Sequence, residues 1–173
     1  MSKNIVEYPM SVYDSPGIRY VTICCEEFKP IGVVVKDGEI YLRVEVERGD
    51  GDTEHELTIE IYGTGHIIPE AEKIEYIDTV ESGCFIWHFF NADDEAAMEE
   101  TEVKRLYIIY KYPIAETGST ELRLEHKFVR VLHSAMQNGV RMVWVLLELV
   151  QGGGQESVRT VCVNEKGKVE LAE

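Results

Sequence analysis

Apolar and polar residues alternate along most of this chain in short runs that end at glycine-containing turns. Alternation with a period of two is typical of strands that bury one face, whereas an amphipathic helix repeats every ~3.6 residues. The pattern therefore predicts a mostly β protein with antiparallel sheets. Twelve strands are expected, near residues 4–8, 17–25, 30–35, 39–47, 55–62, 73–80, 84–90, 104–112, 119–125, 128–136, 140–150 and 157–163.

Two parts of the chain resemble each other. Residues 6–10 return as residues 110–114, and the turn Lys36-Asp37-Gly38 returns as Gln137-Asn138-Gly139, each turn followed by a strand-like run. Asp-Gly and Asn-Gly tolerate the positive φ angles of a tight hairpin. The duplication predicts two related antiparallel β modules packed together. We expect a complete module over residues 1–92, an acidic linker over 93–102 and a truncated second module over 103–173.

The strand predicted after the second turn is apolar on both faces. Val143, Val145 and Leu147 alternate with Met142, Trp144 and Leu146. A strand without a wet face is covered on both sides. The cover comes either from the first module or from another subunit, so Trp144 and Leu146 are candidate partner-binding residues and a homo-oligomer is possible.

Charge is distributed unevenly between the two modules. Residues 1–102 hold 24 acidic and 7 basic side chains, whereas residues 103–173 hold 8 acidic and 10 basic ones. Such an anionic field repels nucleic acid and attracts basic protein surfaces, although an acidic surface can also serve solubility alone. We therefore expect no direct contact with nucleic acid, and the partner predicted on this ground is a protein with a basic surface.

Acidic residues are densest in the predicted linker, which holds six acids and no base between Asn91 and Glu102. Asn91 could cap a short helix whose first turn carries acidic side chains, a placement that suits the helix dipole. The linker is thus predicted to be a short helix or a loop. Four of its acidic residues are candidate partner-binding residues: Asp93, Asp94, Glu99 and Glu100.

Composition predicts a reduced cytoplasmic protein. The longest apolar run is far shorter than the ~20 residues that cross a membrane, and the first residues do not form a secretion signal. The four cysteines lack metal-ligand spacing. Cys24 and Cys25 adjoin within a predicted strand, so their side chains should point to opposite faces and stay unbonded.

The most motif-like segment follows the strand predicted over residues 55–62. Gly63, Thr64, Gly65 and His66 could bring backbone amides close to an anionic ligand, with the imidazole beside them. The alternative is a glycine turn that leads into the proline-containing loop. These four residues are candidate ligand-binding residues.

His88 lies in an aromatic strand and is the fifth candidate ligand-binding residue. It could form a two-histidine site with His66, or it could be a partly buried histidine with a structural hydrogen bond. We expect neither a metal site nor a cofactor, because zinc requires three or four clustered ligands. No serine or cysteine has the sequence context of a catalytic nucleophile, so no catalytic residue is assigned.

Several of these segments resemble a family of small phage and bacterial proteins of unknown function. The family pattern opens with Tyr-Lys-Tyr-Pro, continues through an Asn-Gly hairpin and closes with Gly-Thr-Gly-His and Phe-x-Trp-His-x-Phe. Residues 107–114 match the opening and residues 5–10 match it more loosely, while residues 63–66 and 85–90 match the ending. The second copy stops before its own Gly-Thr-Gly-His. The resemblance implies a phage or prophage setting, and with it the host cytoplasm, but no activity.

In that setting the sequence predicts a non-enzymatic binding protein, an inhibitor of a host defence system that acts through its acidic surface on a protein partner. Three alternatives stay open. A pocket between the modules could sequester a small nucleotide-like signal. The chain could also be a small hydrolase that uses His66 and His88, or a component of the virion or of its assembly.

Overall fold

The computed structural model describes residues 2–13, 15–69, 74–92, 105–150 and 156–172. These residues contain fourteen strands and no helix, and every paired strand is antiparallel. The strands are β1 (Ser2–Met10), β2 (Gly17–Cys25), β3 (Glu27–Lys36), β4 (Glu39–Arg48), β5 (Thr53–Gly63), β6 (Ile67–Pro69), β7 (Ile74–Ser82), β8 (Phe85–Ala92), β9 (Leu106–Ile114), β10 (Gly118–Leu124), β11 (Lys127–Gln137), β12 (Val140–Glu148), β13 (Ser157–Val163) and β14 (Val169–Leu171).

The chain divides into two compact units. Unit 1 comprises residues 1–63 and 72–102, and unit 2 comprises residues 64–71 and 103–173. Unit 1 contains one sheet in the order β1-β4-β3 and a second in the order β2-β5-β8-β7. The alternate residues of β4 that face inward, Leu42, Val44 and Val46, are buried together with Ile59, Ile61 and Phe89 of the second sheet. This arrangement is a sandwich of two antiparallel sheets.

Unit 2 has a related arrangement of two sheets. One sheet runs β11-β12-β9-β6 and the other runs β10-β13-β14. Its core joins Val143, Val145 and Leu147 to apolar residues of β10 and β13. The short β6, which follows β5 along the chain, pairs with β9 and is the fourth strand of the sheet β11-β12-β9-β6.

Strand pairing confirms the two related modules. Pro9 of β1 lies opposite Tyr41 of β4, and Pro113 of β9 lies opposite Met142 of β12, so the aligned residues occupy the same register. Both predicted hairpins have two left-handed residues, with φ of 52° and 83° at Asp37 and Gly38, and 51° and 76° at Asn138 and Gly139. The turn chemistry therefore sets the same register in both copies.

All twelve predicted strands are present, and two further strands, β6 and β14, were not predicted. Each has only three residues, too few to display an alternating pattern. Asn91 and Ala92 are the last residues of β8, so the prediction that Asn91 caps a helix is wrong. Residues 93–104 lie outside the described part of the chain. Cys24 is exposed and Cys25 is buried, as expected for neighbours in a strand, and all four cysteines are free.

Candidate functional site

The Gly-Thr-Gly-His segment forms a turn between β5 and β6. Gly63 ends β5 in unit 1, whereas Thr64, Gly65 and His66 belong to unit 2. The Gly65 amide donates to the carbonyl of Ile109 at 2.9 Å, and the Thr64 hydroxyl oxygen accepts from the Trp144 indole at 3.0 Å. These bonds use the amide of Gly65 and the hydroxyl of Thr64 to hold the turn on the sheet of unit 2, which favours the turn interpretation over a ligand loop.

Gly65 should be hard to replace by a β-branched residue. Its φ is +87°, although a Cβ atom there would meet no atom within 4 Å. The cost therefore comes from the backbone alone, and we expect Gly65→Val to lower the free energy of unfolding by roughly 1–2 kcal/mol. Gly65→Asn should cost less, because asparagine tolerates this conformation. Urea unfolding of both variants checks the order, and equal stability of Gly65→Val and wild type would contradict it.

His88 is fully buried in unit 1, with none of its surface exposed. Its Nδ1 lies 2.7 Å from the Thr79 hydroxyl, which in turn lies 2.8 Å from the Tyr76 hydroxyl. The three side chains lie on the same face of the neighbouring strands β7 and β8. His66, the proposed second histidine, is half-buried and belongs to unit 2. These three side chains therefore form a hydrogen-bonded network around the buried His88. The ligand-binding role of His88 stays a prediction.

The described residues also include the four free cysteines and several histidines and carboxylates. No three His, Cys, Asp or Glu side chains there come close enough to share a metal ion. Burial raises the pKa of the Cys25 thiol, which disfavours a reactive thiolate. No described helix is long and apolar enough to cross a membrane.

Trp144 and Leu146, predicted to bind a partner, are 0% and 1% exposed. The Trp144 ring lies 5.6 Å from the His133 ring, centroid to centroid. Leu146 lies opposite Ile109, which is also fully buried. The prediction that β12 is covered on both faces is therefore confirmed. Contact of these two residues with another molecule stays a prediction, and the acidic candidates Asp93, Asp94, Glu99 and Glu100 lie outside the described residues.

The carboxylates on the two outer faces of unit 1 differ in whether a basic side chain lies beside them. On the outer face of the sheet β1-β4-β3, two acidic side chains have basic partners: Lys3 bonds Glu45 at 3.0 Å, and Lys36 and Arg43 both reach Glu7. The hydrogen bond to Glu45 raises the pKa of Lys3. We call this the paired face. Within these ion pairs the negative charges of Glu7 and Glu45 are compensated.

The outer face of β2 and β5 has no such pairing. We define the β2–β5 face by the residues on this side of the two strands, which are Ile18, Tyr20, Thr22, Cys24, Glu54, Glu56, the buried Thr58 and Glu60. Glu54 and Glu56 are exposed and make no ion pair with any described residue. Glu60 accepts a hydrogen bond from the Tyr62 hydroxyl at 2.6 Å. The pKa of the Tyr62 phenol is raised, mainly because the side chain is buried and also because of this hydrogen bond. The face combines uncompensated negative charge with exposed apolar surface, since Ile18 and Tyr20 are 49% and 62% exposed.

A groove in unit 1 was not predicted. It has a volume of about 560 Å³, and its lining combines the end of β1, the Asp37-Gly38 turn and the start of β8. Three of the lining residues are aromatic: Tyr13, Phe85 and Trp87. The sequence does not show that Phe85 is exposed, and the three segments that form the groove are far apart along the chain.

Comparison with known proteins identifies one family. The model of a family described as a domain of unknown function, DUF7352, matches residues 1–100, which span the complete first copy. No curated protein and no solved structure matches the chain.

Proposed function

Since the chain belongs to the DUF7352 family of domains of unknown function, we propose a function from its surface: it is a non-enzymatic binding protein that docks a basic protein partner on the β2–β5 face. The observation that supports this proposal is the contrast between the two outer faces of unit 1. On the paired face Glu7 and Glu45 have cations beside them, whereas Glu54 and Glu56 on the β2–β5 face have none among the described residues.

Unpaired carboxylates suit a partner that supplies the missing cations. Complementary charge steers two proteins together and excludes partners of like charge. Glu54 and Glu56 are alternate residues of β5 and point to the same side, where Glu60 follows them after the buried Thr58. A basic segment could therefore pair with several of them at once.

The apolar part of the β2–β5 face adds contact area. Tyr20 lies on β2 between Ile18 and Thr22 and is opposite Thr58. Tyrosine is enriched in protein interfaces because its ring is apolar and its hydroxyl can still bond water or a partner. In the described structure β2 is also the free edge of its sheet, with β5 as its only neighbour. The surroundings of Tyr20 thus suit a protein more than a small ion.

A partner inside a bacterial host is the specific form of this proposal. The sequence resemblance to phage proteins and the acidity of unit 1 support an inhibitor that occupies a basic surface of a host defence protein. Acidic residues of the linker, Asp93 to Glu102, would extend the same negative field.

Paired capture experiments test the proposal. Tagged wild type and the double variant Glu54→Gln, Glu56→Gln are incubated with bacterial lysate, and bound proteins are identified by mass spectrometry. The matched control is Glu45→Gln, Glu47→Gln, which removes the same charge from the paired face. We expect a basic protein to be retained by wild type and by the control and to be lost from the β2–β5 variant. Equal retention by all three proteins would contradict the proposal.

A further inference from the structure

The groove of unit 1 has an apolar floor and an aromatic wall. Met10 and Ile40 are 8% and 3% exposed and form the floor. Phe85 and Trp87 are alternate residues of β8, and their rings stack with centroids 5.7 Å apart and an interplanar angle of 29°. Tyr13, also part of the lining, is almost fully exposed. Aromatic rings that remain open to water in a concave surface are typical of a binding site.

Charge in the groove has one sign. Glu39 is the only charged side chain among the described lining residues, and none of them is basic. Its Oε2 accepts a hydrogen bond from the Tyr41 hydroxyl at 2.8 Å, and this bond raises the pKa of the Tyr41 phenol. No described lysine or arginine forms an ion pair with Glu39. The carboxylate is therefore fixed by a neutral donor and has room for a cation.

Stacked aromatic rings beside a fixed carboxylate suit a planar cation. The faces of aromatic rings attract cations, and tryptophan is the strongest of them. A guanidinium group stacks on such faces and also presents a fork of donors to a carboxylate, whereas an ammonium group is more strongly hydrated and cannot stack. We propose that this groove binds an arginine side chain carried by a partner protein, with the guanidinium against Phe85 and Trp87 and its donors directed to Glu39. The lining contains no residue of the β2–β5 face, so this site is additional to the one in the proposed function.

The second copy does not reproduce this site. Val140 stands at the position of Glu39, and Arg141 stands at the position of Ile40 in the aligned hairpin. Arg141 donates instead to the carbonyl of Gly167 at 3.2 Å. In unit 1, β8 is the third strand of the sheet β2-β5-β8-β7. At the corresponding place in unit 2 the described strand is β14, which has only three residues, so Phe85 and Trp87 have no counterparts in it. The groove is a property of the complete copy alone.

Nuclear magnetic resonance of the whole protein tests the site with acetyl-arginine methylamide as the probe. The matched neutral probe is acetyl-citrulline methylamide, which keeps the shape and loses the charge. The chain has two tryptophans, and Trp144 is fully buried in unit 2, so its indole signal is an internal control. We expect the arginine probe to move the Trp87 indole signal in a saturable manner, while the Trp144 signal stays in place and the citrulline probe has little effect.

Variants connect the signal to the proposed contacts. Glu39→Gln and Trp87→Leu should each weaken arginine binding about fivefold, the latter followed on the backbone amides around Phe85. Glu81→Gln, an exposed carboxylate of β7 outside the lining, should bind the probe as wild type does. The Glu54→Gln, Glu56→Gln variant should also bind it normally, which separates this site from the proposed function. Equal binding of citrulline, unchanged affinity in Glu39→Gln, or no movement of the Trp87 signal would overturn the proposal.

Discussion

Replacing Trp144 by alanine should lower the free energy of unfolding by roughly 3–5 kcal/mol, because it leaves a large cavity in a packed face of unit 2. Trp144 has no exposed surface, and its indole contacts both the His133 ring and the Thr64 hydroxyl. Urea unfolding followed by far-ultraviolet circular dichroism measures the loss. A loss below about 1 kcal/mol, as is usual for surface substitutions, would show that the face is not packed as described.

The hydrogen bond of Trp144 can be tested separately from its packing. Thr64→Val keeps the shape of the side chain and removes the acceptor of the indole N–H, which should cost roughly 1–3 kcal/mol. Thr64→Ser keeps the hydroxyl and is the matched control, so it should stay closer to wild type. If Thr64→Val proved as stable as Thr64→Ser, the bond between this turn and β12 would contribute nothing measurable.

Replacing Asp78 by alanine should lower the free energy of unfolding by roughly 2–3 kcal/mol. Its two carboxylate oxygens accept backbone bonds, one from the Thr79 amide at 2.8 Å and one from the Val33 amide at 2.9 Å. Val33 lies on β3 and Asp78 on β7, so the carboxylate bonds together the two sheets of unit 1. The Asp78 carboxylate lies close to the backbone of Gly32, since a Cβ atom on Gly32 would be only 3.1 Å from Asp78 Oδ2.

Two further variants define the contribution of Asp78. Asp78→Asn keeps one oxygen acceptor and places amide hydrogens where the second oxygen was, so its loss should fall between zero and that of Asp78→Ala. Glu75→Ala removes an exposed carboxylate from the same strand and should cost less than about 0.5 kcal/mol. Chemical denaturation of the three proteins gives the order. Equal stability of Asp78→Ala and Glu75→Ala would contradict the role of Asp78 as a bridge between sheets.

Much of the fold follows from local chemistry that can be read in the sequence. The positive φ angles at Asp37 and Asn138 require residues of this kind, and they set the register of both long hairpins. Alternation along β4 separates the buried Leu42 from the exposed side of the strand. Strands β6 and β14 escape detection because three residues show no period, and β6 pairs with β9, which lies far along the chain.

The candidate sites depend on strand register and on contacts between distant segments, which the sequence does not show. Glu45 and Glu54 look alike in the sequence, but only the register shows that Glu45 has Lys3 beside it while Glu54 lies opposite the exposed Cys24. The groove likewise needs the end of β1, the hairpin turn and β8 to meet. Acidic residues are densest in the linker sequence, whereas the exposed carboxylates without an ion pair in the described structure include Glu54 and Glu56 of β5.

The salt dependence of association tests the central proposal most directly. A partner captured by the wild type is purified, and its association rate constant is measured from low to high ionic strength for wild type, the Glu54→Gln, Glu56→Gln variant and the Glu45→Gln, Glu47→Gln control. Exposed charges are screened beyond about 8 Å at physiological ionic strength. Wild type and the control should associate on the order of tenfold faster than the β2–β5 variant at low salt, and the three rates should converge at high salt. Rates that are the same for all three proteins and insensitive to salt would contradict binding through the β2–β5 face.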